Sequence, residues 1–532
     1  MTQTIYLDAN ATTHVLPAAI AAATRVMETQ FGNPSSTHSH GIAAKAVLDQ
    51  ARQVAAEVMG AGDGDVVFTS GATESIQTAV LSALCALRER GIAARESGQT
   101  TGQLLIYGAT EHKAVPQALA HWNQVLGLGL ELRALPVNAR GQHDLLTLAS
   151  WLPQAAMLCT MAANNETGVV TDIVGIDRLL QAEPLTHARP LWLVDCVQAL
   201  GKLALNLQGT RIDYAAFSGH KLYAPKGVGM LYVRQGAPFT PLMAGGGQEG
   251  GLRSGTENMP GIAALGAVLM VLQQGQTFAT HAALSQYRDQ LANSLRAAFP
   301  TVEFSVPLAH ALPTTLNFSV PGLSSKTLLD VFDAAGLRVS AGSACSAAQA
   351  MPSYVLDAMG LPAWRTSSAV RLSIGPLADG PFIQAAADAI ARCGAVLNTM
   401  HESGSEADSE ARVDISPAVP GRAEDTVVFT LQWRELDAFL LANPNARLVD
   451  VREAVEHQAS QGVRQGAWVA SSVPLSRFDA RPDGWTESDE VPVVLVCRSG
   501  NRSLKAARWL RSLGHLNVRH LHGGLALRDA VL

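Results

Sequence analysis

The sequence predicts an α/β chain in two parts: a large, mostly parallel sheet covered by helices on both faces, then a smaller α/β domain. Three observations predict it. Apolar β-type runs alternate with alanine-rich, helix-periodic segments from about residue 5 to 395. That alternation is the pattern of strands buried on both faces and joined by helices. Apolar period then disappears: His401–Arg412 (HESGSEADSEAR) carries four acids, and Ser416–Arg422 (SPAVPGR) adds two prolines and a glycine. Finally, strand and helix patterns resume and continue to residue 532.

Each element follows from its residues. Asp65–Ser70 (DVVFTS), Gln103–Tyr107 (QLLIY), Met157–Met161 (MLCTM) and Leu191–Asp195 (LWLVD) are short apolar runs, which predict buried strands. Residues 1–395 are expected to form one large unit, its main subdomain covering about 13–260. A small subdomain would combine the N-terminal segment with 261–395. Residues 396–423 are expected to be an exposed linker. In 424–532, Arg447–Val451 (RLVDV) and Pro492–Cys497 (PVVLVC) read as buried strands. Asn501–Leu513 reads as a helix with basic residues on its exposed face. The stretch is long enough for one small domain.

Composition narrows the function classes. Of 532 residues, 48% are hydrophobic and 16% charged, which supplies a large core and argues against disorder. A net charge of −6 without a long basic run argues against a nucleic-acid partner. No apolar stretch is long enough to predict a membrane span. MTQTIYLDANATT lacks the basic and apolar regions of a secretion signal, so a cytoplasmic location is expected. The six cysteines, at 85, 159, 196, 345, 393 and 497, form no CxxC pair. Neither a disulfide framework nor a metal site is expected from that spacing.

Three segments carry the first chemistry. Ser70-Gly71-Ala72-Thr73-Glu74-Ser75 follows a strand and opens a helix. Small residues let the backbone approach a ligand, and the first-turn N–H groups favour a phosphate. Its ordinary reading is a strand-to-helix turn with a threonine cap. Asp195 ends a buried strand, where an acid can hold a protonated ring nitrogen or simply cap a helix. Ser218-Gly219-His220-Lys221 places a lysine on a turn, suited to an imine with an aldehyde or to plain solvation. Together a phosphate cradle, an acid and a lysine are the protein parts of a pyridoxal 5'-phosphate site.

Here the chain resembles a family. The first 395 residues or so resemble a cysteine desulfurase of the class-V aminotransferase group, with the pyridoxal phosphate-dependent transferase fold of type I. Nine motifs run in family order. They are Tyr6–Thr13 (YLDANATT), Gly32–Ser36 (GNPSS), Ser70–Ser75, Glu111-His112-Lys113 and Asn164–Gly168 (NNETG). The rest are Asp195 with Gln198, Ser218–Lys221, Arg253–Thr256 (RSGT) and Ser340–Cys345 (SAGSAC). The resemblance implies a large mixed-sheet domain, a smaller α/β domain and conversion of L-cysteine to L-alanine.

The same resemblance implies residue roles. Lys221 is the Schiff-base lysine. Asp195 pairs with the pyridine nitrogen, Gln198 with the ring hydroxyl, and His112 stacks on the ring and moves protons. Asn165 lies near the ring. Ala72, Thr73, Ser218 and His220 contact the phosphate, and Thr256 reaches it from a second subunit, which implies a homodimer. Arg371, in VRLSIG, clamps the substrate carboxylate with help from Asn10 and Asn317. Cys345, among serines and alanines without apolar period, reads as a loop thiol or a small core residue. The family's matching cysteine takes the substrate sulfur as a persulfide. Cys196 departs from the family's usual alanine and is expected to be a neutral packing change. Cys85, Cys159 and Cys393 are expected to be structural.

A second constellation lies at Cys497-Arg498-Ser499-Gly500-Asn501-Arg502-Ser503, after a strand and opening a helix. Loop N–H groups and a helix N-terminus stabilise a thiolate or persulfide there. The bland alternative is a buried strand-end cysteine followed by surface arginines. Residues 424–532 resemble a single rhodanese domain, a sulfurtransferase module, with departures at Gly462–Gln465 and Leu527. The short loop resembles the sulfur-transfer branch of that family. Fusion implies a relay from Cys345 to Cys497 and then to a sulfur-acceptor protein or small thiol. Three alternatives stay open at this point: a rhodanese domain that only docks partners, a different pyridoxal phosphate enzyme such as a selenocysteine lyase, and a sulfur-responsive regulatory protein without turnover.

Overall fold

A computed structural model describes residues 4–97, 102–182, 189–342, 352–402, 428–460, 462–478 and 491–528. Its strands in the first part are β1 (Ile5–Tyr6), β2 (Asp65–Thr69), β3 (Leu104–Gly108), β4 (Glu131–Leu135), β5 (Ala155–Met161) and β6 (Leu191–Asp195). They continue with β7 (Tyr214–Ser218), β8 (Gly229–Val233), β9 (Glu303–Phe304), β10 (Thr315–Ser319), β11 (Leu337–Arg338) and β12 (Val370–Ser373).

Seven strands form the main sheet, in the order β2-β8-β7-β6-β5-β3-β4. Only β8 runs against its neighbours, so the sheet is mixed. Side chains on a strand alternate between faces. Accordingly Val66 and Phe68 join the core on one face and Val67 the core on the other. Trp192 and Val194 take the first face and Leu193 the second. Helices Pro17–Glu28, Ser39–Met59 and Met259–Gln274 pack together over the first face. Helices Ala72–Ser97 and Ala114–Val125 cover the second.

The small subdomain holds the antiparallel sheet β12-β10-β9 and the parallel pair β1-β11. Helices His281–Ala298, Ser325–Ala334 and Gly380–Glu402 pack around it. Ile5 and Leu7 enter its core, so the N-terminal segment belongs there. Two details differ from the sequence expectation. Helix Met259–Gln274 packs on the large-subdomain helices, because its face from Ile262 to Leu269 is buried among them. The division therefore lies near residue 275 rather than 260. The final helix also runs through Glu402, so 396–402 is helical rather than linker, with Leu397 buried in the small core. Most of the expected linker falls outside the described residues.

The C-terminal domain adds β13 (Phe429–Leu431), β14 (Arg447–Asp450), β15 (Arg464–Gln465), β16 (Trp468–Val469), β17 (Ser471–Ser472), β18 (Val493–Val496) and β19 (Val518–Leu521). Five of these make a parallel sheet in the order β13-β19-β18-β14-β17. Its strands are apolar on both faces, with Val493 and Leu495 in one core and Val494 and Val496 in the other. The short helix Ala454–Ala459 seats this domain on the small subdomain, where Val455 and Ala459 join its core. Among the described residues no helix is long and apolar enough to cross a membrane.

Candidate active site and persulfide cradle

A cavity of about 550 Å³ opens where β6 and β7 end and the helix Ala72–Ser97 begins. Ala72, Thr73, His112, Asn165, Asp195, Gln198, Ser218, His220, Lys221, Asn10 and Arg371 all line it. Eleven residues scattered from 10 to 371 thus meet in one place. Carboxyl ends of strands in an open α/β sheet are where such sites form.

The cradle is built by the backbone. Gly71 adopts a φ of +154°, which side-chain-bearing residues rarely do, and lets the chain turn from β2 into the helix. Glu74 anchors the turn by accepting from the Ser70 N–H at 2.8 Å and from Arg253 at 2.9 Å. First-turn N–H groups have no intrahelical acceptor and favour an anion. Ser218 and His220 face the same space. Burial, aided by Lys221 and Lys226, pushes His220 down to about 4, so it is a neutral ring at pH 7. It contacts the Thr12 hydroxyl at 3.1 Å.

Asp195 is buried at the end of β6, and burial raises its pKa while the Val197 N–H, His112 and Lys221 lower it. Its Oδ1 accepts from the Val197 N–H at 2.9 Å. A buried carboxylate of this kind calls for a cationic partner, as a protonated ring nitrogen would be. Lys221 Nζ donates to the Asn10 and Ala11 carbonyls, both at 2.7 Å, so the N-terminal segment aims the amine. Among the described residues the buried Oδ1 of Asn165 has no partner, as expected of a group reserved for a ligand. His112 Nδ1 accepts from the Ala114 N–H at 3.2 Å, which fixes the ring. These donors and acceptors fit pyridoxal phosphate.

Arg371 is 1% exposed on β12. Its Nη2 lies 2.6 Å from Asp8 and its Nη1 donates to the Asn165 carbonyl at 2.9 Å. Among the described residues its Nε has no partner. Arg371 and Ser340 exchange backbone hydrogen bonds of 2.7 and 3.2 Å, and Tyr354 lines the cavity. Cys345 itself lies outside the described residues; before it Ser340 pairs with the lining residue Arg371, and after it Tyr354 lines the cavity.

Two expected contributors sit elsewhere. Asn317 is buried behind the cavity, accepting from the Ser305 hydroxyl at 2.6 Å and donating to the Glu166 carbonyl at 3.2 Å. It is the register partner of Arg371 across β10 and β12, so it supports that strand. Thr256 is exposed and lines a separate small cavity beside Ser70 and Arg253.

Lys202 is a further residue of the site that no sequence motif singles out. Its buried Nζ donates to Gln198 Oε1 at 2.6 Å and Asn10 Oδ1 at 3.2 Å, bracing both. The available signal was its place four residues after Gln198. Burial, with Lys221 and Arg371 nearby, pushes it down to about 7 from an ordinary 10.5. Between those values the unfolded chain holds a proton that the folded chain has shed. Stability from this group is therefore present above 10.5 and lost as pH falls towards 7. Lys202→Met should flatten the rise of melting temperature between about pH 7.5 and 9.5. An unchanged slope would count against this assignment.

The second cradle surrounds Cys497. Its sulfur accepts from the Gly500 N–H at 3.2 Å and the Ser503 N–H at 3.3 Å, with the Ser503 hydroxyl at 3.5 Å. Gly500 has a φ of +87°, which turns its N–H inward. A Cβ on Gly524 would meet the Cys497 carbonyl at 2.2 Å, so only glycine lets that segment back the loop. Ser499 and Asn501 are exposed at the mouth. Arg502 holds Glu456 through contacts of 2.5 and 2.8 Å. Burial opposes its charge, yet Glu456 outweighs that and raises its pKa. Arg498 turns to Asp330 and Asp333 of the small subdomain, at 2.8 and 3.2 Å.

Sequence comparison agrees with this architecture. The class-V aminotransferase family matches residues 5–380, and the rhodanese-like domain family matches 433–527. A cysteine desulfurase of Cereibacter sphaeroides is 36% identical over 372 residues, covering 70% of this chain and 90% of that protein. The chain belongs to the cysteine desulfurase family. Cysteine desulfurase NifS of Azotobacter vinelandii is also 36% identical, over 70% of this chain and 87% of its own length. A solved NifS-like protein superposes with a TM-score of 0.64 at 30% identity, over 75% of this chain and all of that one. SspA in complex with cysteine gives 0.56 at 27% identity, over 70% and 99% of the two chains. Like other desulfurases of this group, the chain is a pyridoxal phosphate-dependent sulfurtransferase, here with a rhodanese-like domain behind it.

Proposed function

We propose that this enzyme releases L-alanine from L-cysteine, holds the sulfur as a persulfide on Cys345, and passes it to Cys497. The observation that carries the reading is the convergence of Lys221, Asp195 and Arg371 on one cavity, with Tyr354 lining it and Ser340 paired to the Arg371 backbone. Pyridoxal phosphate supplies an electron sink that weakens bonds at the substrate Cα. Ala72, Thr73, Ser218 and His220 hold its phosphate, Asp195 its ring nitrogen and Gln198 its ring hydroxyl. Lys221 Nζ anchors the cofactor and then moves the substrate's Cα proton, with His112 beside it. Arg371 binds the substrate carboxylate. Cys345 attacks the substrate sulfur, and the electron pair of the broken C–S bond takes a proton to give alanine. Thr256 serves the neighbouring subunit's phosphate, in a cytoplasmic homodimer. The final acceptor is a protein or small thiol.

Persulfide mapping tests the reading. The cofactor-loaded protein is incubated with L-cysteine without reductant, alkylated, digested and weighed by mass spectrometry. Added sulfur is expected on the Cys345 and Cys497 peptides. Cys345→Ala should lose both labels, whereas Cys497→Ala should keep the Cys345 label and alanine release. Sulfur on Cys345 alone would sink the relay and leave a desulfurase whose second domain docks partners.

A further inference from the structure

The rim of the Cys497 cradle is not solvent alone. Arg498 Nη1 lies 2.8 Å from Asp330 and its Nε 3.2 Å from Asp333, both on the helix Ser325–Ala334 of the small subdomain. Asp333 is also 3.0 Å from Arg338 on β11, the strand that leads to Ser340 and the segment bearing Cys345. One carboxylate therefore joins the rhodanese loop to the stem of the sulfur-carrying segment. The contact is not only polar, since Val455 and Ala459 seat the same domain in the small subdomain's core. Burial raises the pKa of Asp330, but Lys326, Arg502 and Arg498 together bring it below the ordinary carboxylate range, so it is charged at neutral pH.

The charge balance at the loop follows. A small sulfur-donating oxyanion would need cationic side chains beside the thiol. Arg502 is engaged by Glu456 and Arg498 by two aspartates. Asp330 and Asp333 add negative charge where such an anion would arrive.

We propose that Asp330 and Asp333 withhold Arg498 from small anionic sulfur donors, keeping the Cys497 cradle for persulfide sulfur made by the chain's own desulfurase domain. This specificity device rests on the relay reading. In the transfer it favours, the Cys497 thiolate attacks the outer sulfur of the Cys345 persulfide. A new S–S bond forms at Cys497, the old one breaks, and Cys345 leaves as a thiolate with the electron pair. No oxidant or reductant is consumed.

The test uses the full, cofactor-loaded chain with sodium thiosulfate as donor and cyanide as acceptor, following thiocyanate. The Asp330→Asn/Asp333→Asn double variant should lower the KM for thiosulfate by about threefold or more, as expected when a partly exposed ion pair is released. Alanine formation from L-cysteine should keep its wild-type rate. Asp330→Asn alone leaves the Asp333–Arg338 contact intact and should shift KM the same way by less. It serves as the reporter if the double variant melts early. An unchanged thiosulfate KM in a normally melting variant overturns the proposal. Thiosulfate turnover does not pass through the desulfurase reaction. Failure of the relay is read separately, as a wild-type Cys497 peptide that gains no sulfur from L-cysteine.

Discussion

Lys221→Ala is expected to cut alanine release from L-cysteine by about 10³-fold or more, the scale seen when a covalent catalytic group is removed. The lysine amine is held 2.7 Å from two backbone carbonyls in the cavity, so its position is set by the fold and not by solvent. Lys202 is buried and occupied by Gln198 and Asn10, and Arg371 by Asp8 and Asn165. Lys221→Arg should be as inactive, because a guanidinium does not deprotonate at working pH. Loss of the visible absorbance of lysine-bound pyridoxal phosphate, with melting preserved, would separate a chemical role from a structural one. A Lys221→Ala enzyme within tenfold of wild type would refute the assignment.

The main cavity was legible because its parts sit at ends of unbroken apolar runs. Such a run fixes a strand, the strand fixes which end faces ligands, and Asp195 and the 218–221 turn fall at those ends. Arg371 was legible through its motif, although only the structure places it beside Asp8. What the sequence did not yield depends on packing between distant elements. Helix Met259–Gln274 is apolar nearly all round, so its pattern does not say which subdomain it joins. Residues 396–402 continue a helix whose last turns lie against acid-rich sequence, and composition alone read them as linker. Asn317 sits in an apolar strand where period 2 leaves its face undetermined. By sequence Arg498 is only a basic residue next to Cys497. Its carboxylate partners come from residues 330 and 333, a separation no local pattern reveals.

Arg371→Lys is expected to raise the KM for L-cysteine by about 30- to 100-fold, which corresponds to ~2–3 kcal/mol for a charge-assisted bidentate contact. Lysine keeps the positive charge, so the loss isolates geometry from charge. A guanidinium offers a planar fork, whereas an ammonium is a point donor on a flexible stem. Here the fork is already oriented, with Nη2 on Asp8, Nη1 on the Asn165 carbonyl and Nε buried without a partner among the described residues. An unpartnered buried donor is costly, and a substrate carboxylate would relieve that cost. Binding should therefore suffer more than the chemical step, and kcat should fall less than KM rises. Asp8→Asn keeps the guanidinium but loosens its hold, so its KM effect should be in the same direction and smaller. A decarboxylated substrate, cysteamine, provides the control. Without a carboxylate to bind, its turnover or inhibition constant should differ little between wild type and Arg371→Lys. Equal penalties for L-cysteine and cysteamine would mean that Arg371 braces β12 and the Asn165 carbonyl instead of holding the carboxylate.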